Sequence, residues 1–219
     1  MANGTAFSQL ALNWVTKPKT GVQITYELGH SDIKTDLTKP NGVTPLLKDY
    51  FLGAAYKWGG KNYLDFSAKI KVKDTYASAA ETANETDGKE YSTKAKGVLS
   101  RWGLKHNLST GLTSSRAKGK YQRTKKGDLS YQAEKSWAPF TLSGKYAYSQ
   151  TKYDEKNPSK TTNGLKETKR LGTATLKGTY KLFARTQLVL QLTQKKQASD
   201  LETSNYSSNA AQLMVLQTF

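Results

Sequence analysis

The sequence predicts an all-β chain, a transmembrane antiparallel up-and-down β-barrel of about 11–12 strands. Three observations predict it. Apolar and polar residues alternate with a period of two through most of the chain. Trp14, Trp58, Trp102, Trp137 and Phe183 each end an alternating segment, or fall just past its end, and each stands beside a short turn. The connections between segments are short on one side of the repeat and mostly longer on the other. A barrel in a bilayer needs a ring of aromatics where lipid meets water. A soluble sheet has no reason to collect its tryptophans at one edge.

Composition narrows the class. The chain has 219 residues, a formal net charge of +17, 36% hydrophobic residues and no cysteine. No stretch approaches the roughly 18 consecutive apolar residues of a membrane helix. A barrel strand needs only about 9–11 residues, with alternate ones apolar, so low average hydropathy excludes helical membrane proteins and not barrels. Thirteen tyrosines and many threonines favour strands. The missing cysteine removes disulfides, thiolate metal sites and cysteine nucleophiles together. Residues 1–219 read as one domain, with no Pro- or Gly-rich linker. The opening Met1-Ala-Asn-Gly-Thr-Ala-Phe7 has no basic or apolar leader. The expectation is a mature sequence with a new start methionine, or the C-terminal part of a larger barrel or protein.

Each element follows from the alternation. Leu10, Leu12 and Trp14 share a face over 6–16, and Lys17-Pro-Lys-Thr-Gly21 turns the chain into Val22, Ile24, Tyr26 and Leu28. After a polar stretch with Pro40-Asn-Gly42, Tyr50, Leu52, Ala54, Tyr56 and Trp58 share a face, and Gly59-Gly-Lys-Asn62 turns again. The strand that follows is the clearest: Leu64, Phe66, Ala68, Ile70 and Val72 against Asp65, Ser67, Lys69, Lys71 and Lys73. Over 90–101, Lys94 and Lys96 oppose Ala95, Gly97 and Leu99. Trp102 is out of phase there, which makes it a turn residue or the mark of a bulge. Leu108 and Leu112 mark 105–116, and Leu129, Tyr131 and Ala133 mark the end of 120–134. Trp137-Ala-Pro139 leads to Phe140, Leu142, Gly144, Tyr146 and Tyr148. The last units place Gly172 to Tyr180, Leu188 to Leu192 and Ala211 to Phe219 on the apolar face.

These segments resemble the bacterial outer-membrane β-barrel (porin-like) class, whose last strand characteristically ends in phenylalanine at the periplasmic rim, as Phe219 does here. The resemblance covers the whole chain and implies short periplasmic turns and longer extracellular loops, at 36–47, 77–89, 154–166 and 198–206. It implies a periplasmic aromatic girdle of Trp14, Trp58, Trp102, Trp137, Tyr180, Phe183 and Phe219, and localisation in the bacterial outer membrane. It also raises a question of parity. Roughly eleven strands with Phe219 in the periplasm start the chain on the extracellular side, whereas bacterial barrels have even strand numbers. The expectation is twelve strands, with one missed inside 89–139; the alternative is a barrel completed by an upstream strand or a partner chain.

The candidate chemistry lies in the lysines. Lys57, Lys69, Lys71, Lys73, Lys94, Lys96, Lys145 and Lys177 fall on the face opposite the apolar one. In a barrel that face lines the lumen, where ammonium groups attract anions. The expected function is therefore a pore for passive passage of small, preferentially anionic solutes. The alternative is a structural or translocator barrel that anchors, or is threaded by, a partner protein. The plainer reading of the lysines is a polar, plugged interior with the charges paired. Lysines near loop ends would instead meet lipopolysaccharide phosphates, so outer-membrane lipid and lipopolysaccharide are expected partners. Basic charge with aromatics also describes nucleic-acid binders, but here aromatics and lysines take opposite faces, so no nucleic-acid partner is expected. His30 and His106 are predicted near opposite ends of their strands, and no phosphate loop or metal-ligand cluster is present. No catalytic residue, metal or cofactor is expected, and a barrel hydrolase is the least supported reading.

Overall fold

The computed structural model describes residues 5–35, 46–75, 87–155, 166–200 and 205–217. They form β1 (Thr5–Lys19), β2 (Val22–Thr35), β3 (Leu46–Gly59), β4 (Tyr63–Thr75), β5 (Gly88–Arg101) and β6 (Leu104–Ala117). A short 3-10 turn at Lys120–Gln122 precedes β7 (Thr124–Trp137), followed by β8 (Phe140–Tyr153), β9 (Thr168–Phe183), β10 (Thr186–Ser199) and β11 (Tyr206–Gln217). All eleven lie in one sheet in sequence order, and every neighbouring pair is antiparallel. The chain is an all-β, up-and-down barrel wall. The strand expected to be missing is not inside 89–139. Residues 88–137 are taken up by β5, β6, the 3-10 turn and β7, which pair in continuous registers with one another.

The register shows why the alternation works. Leu12, Leu28, Leu52 and Ile70 are successive cross-strand partners from β1 to β4. On the other face, Lys57, Asp65, Lys96, Ser109 and Ser130 are successive partners from β3 to β7. Side chains alternate between faces, so one row is wholly apolar and the next wholly polar. The apolar face is the exposed one: Leu52, Phe66 and Ile70 stand out while Lys57, Lys69, Lys71 and Lys73 between them are half-buried. A sheet is crowded on its concave side, so the polar face lies inside the curve and the apolar face outside it.

The short turns all fall at one edge. Trp102 and Gly103 take φ values of 53° and 70° between Arg101 and Leu104, the two-residue hairpin turn with positive φ at both central positions. Trp102 is therefore a turn residue, not a bulge, and its change of phase is the turn itself. A bulge does occur in β1, between Thr16 and Lys19. Pro18 has no N–H for the ladder, so the strand skips there and the turn tightens to Thr20-Gly21.

At the two ends of the sheet, β1 and β11 form no ladder with each other among the described residues. Ala11, Asn13 and Val15 are exposed along with Leu10, Leu12 and Trp14, and on β11 only Met214 is part-covered. One close approach fixes the inner face near β2. Phe51 is 6% exposed and its ring lies across its partner Gly29, occupying the space where a Cβ would stand. Gly29→Val is expected to expel that ring. Overpacking costs about 1–3 kcal/mol, so urea unfolding of the refolded protein in lipid vesicles should shift to a lower midpoint, whereas the exposed Leu12→Val should move it much less.

Candidate functional site

The concave face carries the candidate site, and β3 to β9 supply it. All eight lysines expected on the wet face lie there by register, but their surroundings divide them. Lys69 Nζ is 3.1 Å from Glu27 and 3.8 Å above the Phe51 ring. Lys73 Nζ is 2.8 Å from Glu90. Lys57 lies 4.1 Å above the Tyr63 ring, and Lys96 is 5.8 Å from the same ring. Lys71 stands between these pairs, opposite Phe51 and Glu90. The plainer reading of a paired interior thus describes the loop-side part of β4.

The middle of the wall differs. Lys94, Lys96, Lys145 and Lys177 have no ion pair with any described carboxylate. A hollow of about 570 Å³ lies against Lys94, Lys96, Lys126 and Lys145, with Asp65 and Asp128 as its carboxylates. Its floor is a band of hydroxyls, in which Ser109 and Ser130 share a 2.8 Å hydrogen bond. Lys126 is a member the sequence reading missed. It lies in step with Asp128 and Ser130, so extending the same period by one unit would have found it. Four ammonium groups and two carboxylates around a hydroxyl-lined hollow leave a net positive field that can hold or steer an anion by charge and by O–H donation.

The histidines do not join this site. His30 is stacked on Tyr50 with ring centres 4.6 Å apart, and His106 Nδ1 lies 2.8 Å from the Tyr131 hydroxyl. Both share rows with the apolar face, His30 with Leu10 and His106 with Leu99. Among the described residues no group of histidines and carboxylates is placed to share one metal ion.

The outer face is a second functional surface. Trp14, Trp58, Trp102, Trp137 and Phe183 all lie at the short-turn edge and are exposed, Trp102 at 76%. Trp137, Phe140 and Tyr180 stack in sequence across β7, β8 and β9, with centroids 6.3 and 4.7 Å apart. Phe219, expected in the same ring, lies outside the described residues, as do most of the expected long loops. Above the ring the outer wall is a continuous sheet of exposed leucine, isoleucine and tyrosine. An apolar surface of this extent is far beyond what water tolerates and is what a bilayer requires.

No family model and no curated protein sequence matches the chain. Solved structures do. The copper transporter OprC superposes with a TM-score of 0.56 at 11% identity, over 97% of this chain and 40% of that one. The fold is that of an outer-membrane β-barrel. The siderophore receptor PirA from Acinetobacter baumannii aligns with a TM-score of 0.49 at 14% identity, over 99% of this chain and 41% of that one. The chain therefore spans about two fifths of the length of these two proteins. Barrel fold and lipid-facing outer wall together make it an integral outer-membrane protein.

With all four tryptophans at one edge, their depth in a bilayer should be single and shallow. Fluorescence quenching by lipids brominated at different acyl positions is expected to be strongest for bromines nearest the headgroups. Maximal quenching by bromines at the chain ends would remove the girdle.

Proposed function

We propose that this barrel wall lines a pore for passive passage of small, preferentially anionic solutes across the outer membrane. The observation that supports this reading is a group of inner-face lysines with no ion pair to a described carboxylate: Lys94, Lys96, Lys126, Lys145 and Lys177. Lys69 and Lys73 were part of the same expectation, but Glu27 and Glu90 neutralise them and they add little to the field.

Magnitudes set how strong the preference is. A unit charge about 10 Å from an anion contributes about 0.4 kcal/mol in bulk water. The five lysines less Asp65 and Asp128 leave three net charges, roughly 1.2 kcal/mol unscreened, cut to about 0.4 kcal/mol by a Debye length of about 8 Å at physiological salt. That is about a twofold enrichment of anions. At 0.01 M salt, screening is weak and the enrichment is roughly fourfold to fivefold. The proposed pore is a mild anion filter that sharpens on dilution.

A second reading is favoured by one specific observation. The edges of β1 and β11 carry exposed side chains on both faces and, among the described residues, no ladder between them, as a barrel that anchors or is threaded by a partner protein would present before assembly. Planar-bilayer recordings separate the two. The pore reading expects a stable current whose reversal potential in a salt gradient has the anion sign and grows at lower salt. Changing Lys94, Lys96 and Lys145 together to Glu should reverse that sign. A membrane-inserted protein that passes no current on its own, and does so only with a partner chain, would transfer the argument to the second reading.

A further inference from the structure

The outer wall carries charge as well as apolar surface, and apart from Arg101 and Lys135 beside the short turns the cations of β5 to β10 gather at one level. On six consecutive strands, β5 to β10, one outward-facing cation stands close to the long-loop end: Lys89, Arg116, Lys125, Lys152, Arg170 and Lys196. Each is exposed and shares its face with the apolar rows, not with the inner lysines. Arg170 pairs with Asp200 at 3.3 Å and Arg116 lies 5.7 Å from the Tyr91 ring. Lys125 and Lys152 are direct cross-strand partners, two like charges side by side with no described carboxylate in ion-pair range. Like charges directly opposite one another destabilise a sheet, and a cation on a lipid-facing wall is tolerated only near the headgroups. An anion bridging the two ammonium groups removes both penalties.

What lies below the pair gives the shape of that anion. A groove of about 760 Å³ runs down the outer wall against Leu52, Ile70, Tyr91, Leu112 and Gly127, and Lys125 and Lys152 line its loop-side end. The groove is open there because Ala54, Ala68 and Gly127 leave room between the larger side chains. Apolar groove below and paired cations above match a lipid whose headgroup carries phosphate and whose acyl chain lies along the protein.

We propose that this face binds the phosphorylated, multiply acylated glycolipid of the outer leaflet, with a phosphate between Lys125 and Lys152 and an acyl chain in the groove. Lys89 and Arg116, on neighbouring strands at the same level, are placed for a second phosphate, which a diacyl phospholipid does not have. The site needs only that the outer wall face lipid. A barrel that conducts nothing would leave it standing, and a conducting barrel does not establish it.

The test uses the refolded full chain in detergent micelles, with native mass spectrometry counting retained lipid. Bisphosphorylated lipid A is the probe, compared with the same glycolipid stripped of phosphate and with phosphatidylglycerol. The bisphosphorylated form is expected to bind about tenfold or more tightly than either. Lys125→Ser combined with Lys152→Ser should remove most of that difference, while Lys94→Ser with Lys96→Ser on the inner wall should leave it unchanged. Gly127→Leu provides an independent arm: a Cβ there meets only Leu112, at 3.7 Å, so the longer chain fills the groove without a clash and should weaken binding several-fold with every charge retained. Equal retention of phosphatidylglycerol, or binding unmoved by the lysine variants and by Gly127→Leu, overturns the site.

Discussion

Everything in this protein depends on the pairing of the backbone. In hydrocarbon there is no water to satisfy a peptide group, and each unsatisfied N–H or C=O costs several kcal/mol. The chain meets this with ten consecutive antiparallel ladders. Pairing on both sides is what lets a sequence with only 36% hydrophobic residues cross a bilayer. The same requirement gives the β1 and β11 edges their importance. Both are odd-numbered strands of an up-and-down sheet, so they run in the same direction, and an antiparallel closure needs an odd number of further strands between them, for an even total.

The alternation made most of the wall readable from sequence. A period of two assigns each residue to a face without knowledge of its neighbours, which is why Leu64 to Val72 against Asp65 to Lys73 could be placed at once. It fails where the backbone leaves the period. Trp102 changes phase because it occupies a positive-φ turn position, and nothing local separates that from a bulge. The search for a twelfth strand inside 89–139 came from that same irregular region, which the ladders of β5 to β7 fully account for.

Pairing across the wall was beyond the sequence for a different reason. Glu27 and Lys69 are far apart in the chain and lie on strands separated by β3; they meet because Gly53 between them has no side chain. Phe51 was equally hidden. It sits on the wet face, where a phenylalanine is unexpected, and it is held there by Gly29 beneath and Lys69 above. Which lysines stay unpaired depends on these through-space contacts and not on parity. The inner wall therefore has a neutralised region near the loops of β4 and a cationic one across β5 to β9.

The outward cations and the aromatic ring also form a ruler. On β7, Lys125 and Trp137 are twelve positions apart, and on β8 the same count separates Lys152 from Phe140. Twelve residues of strand tilted by about 40° rise roughly 30 Å. Allowing for the headgroup depth of each belt, the apolar span between them is close to the ~25 Å band of bacterial barrels. Thicker bilayers would pull Lys125 and Lys152 down into hydrocarbon, so the spacing matches this protein to a thin membrane, and the outer membrane is thinner than most.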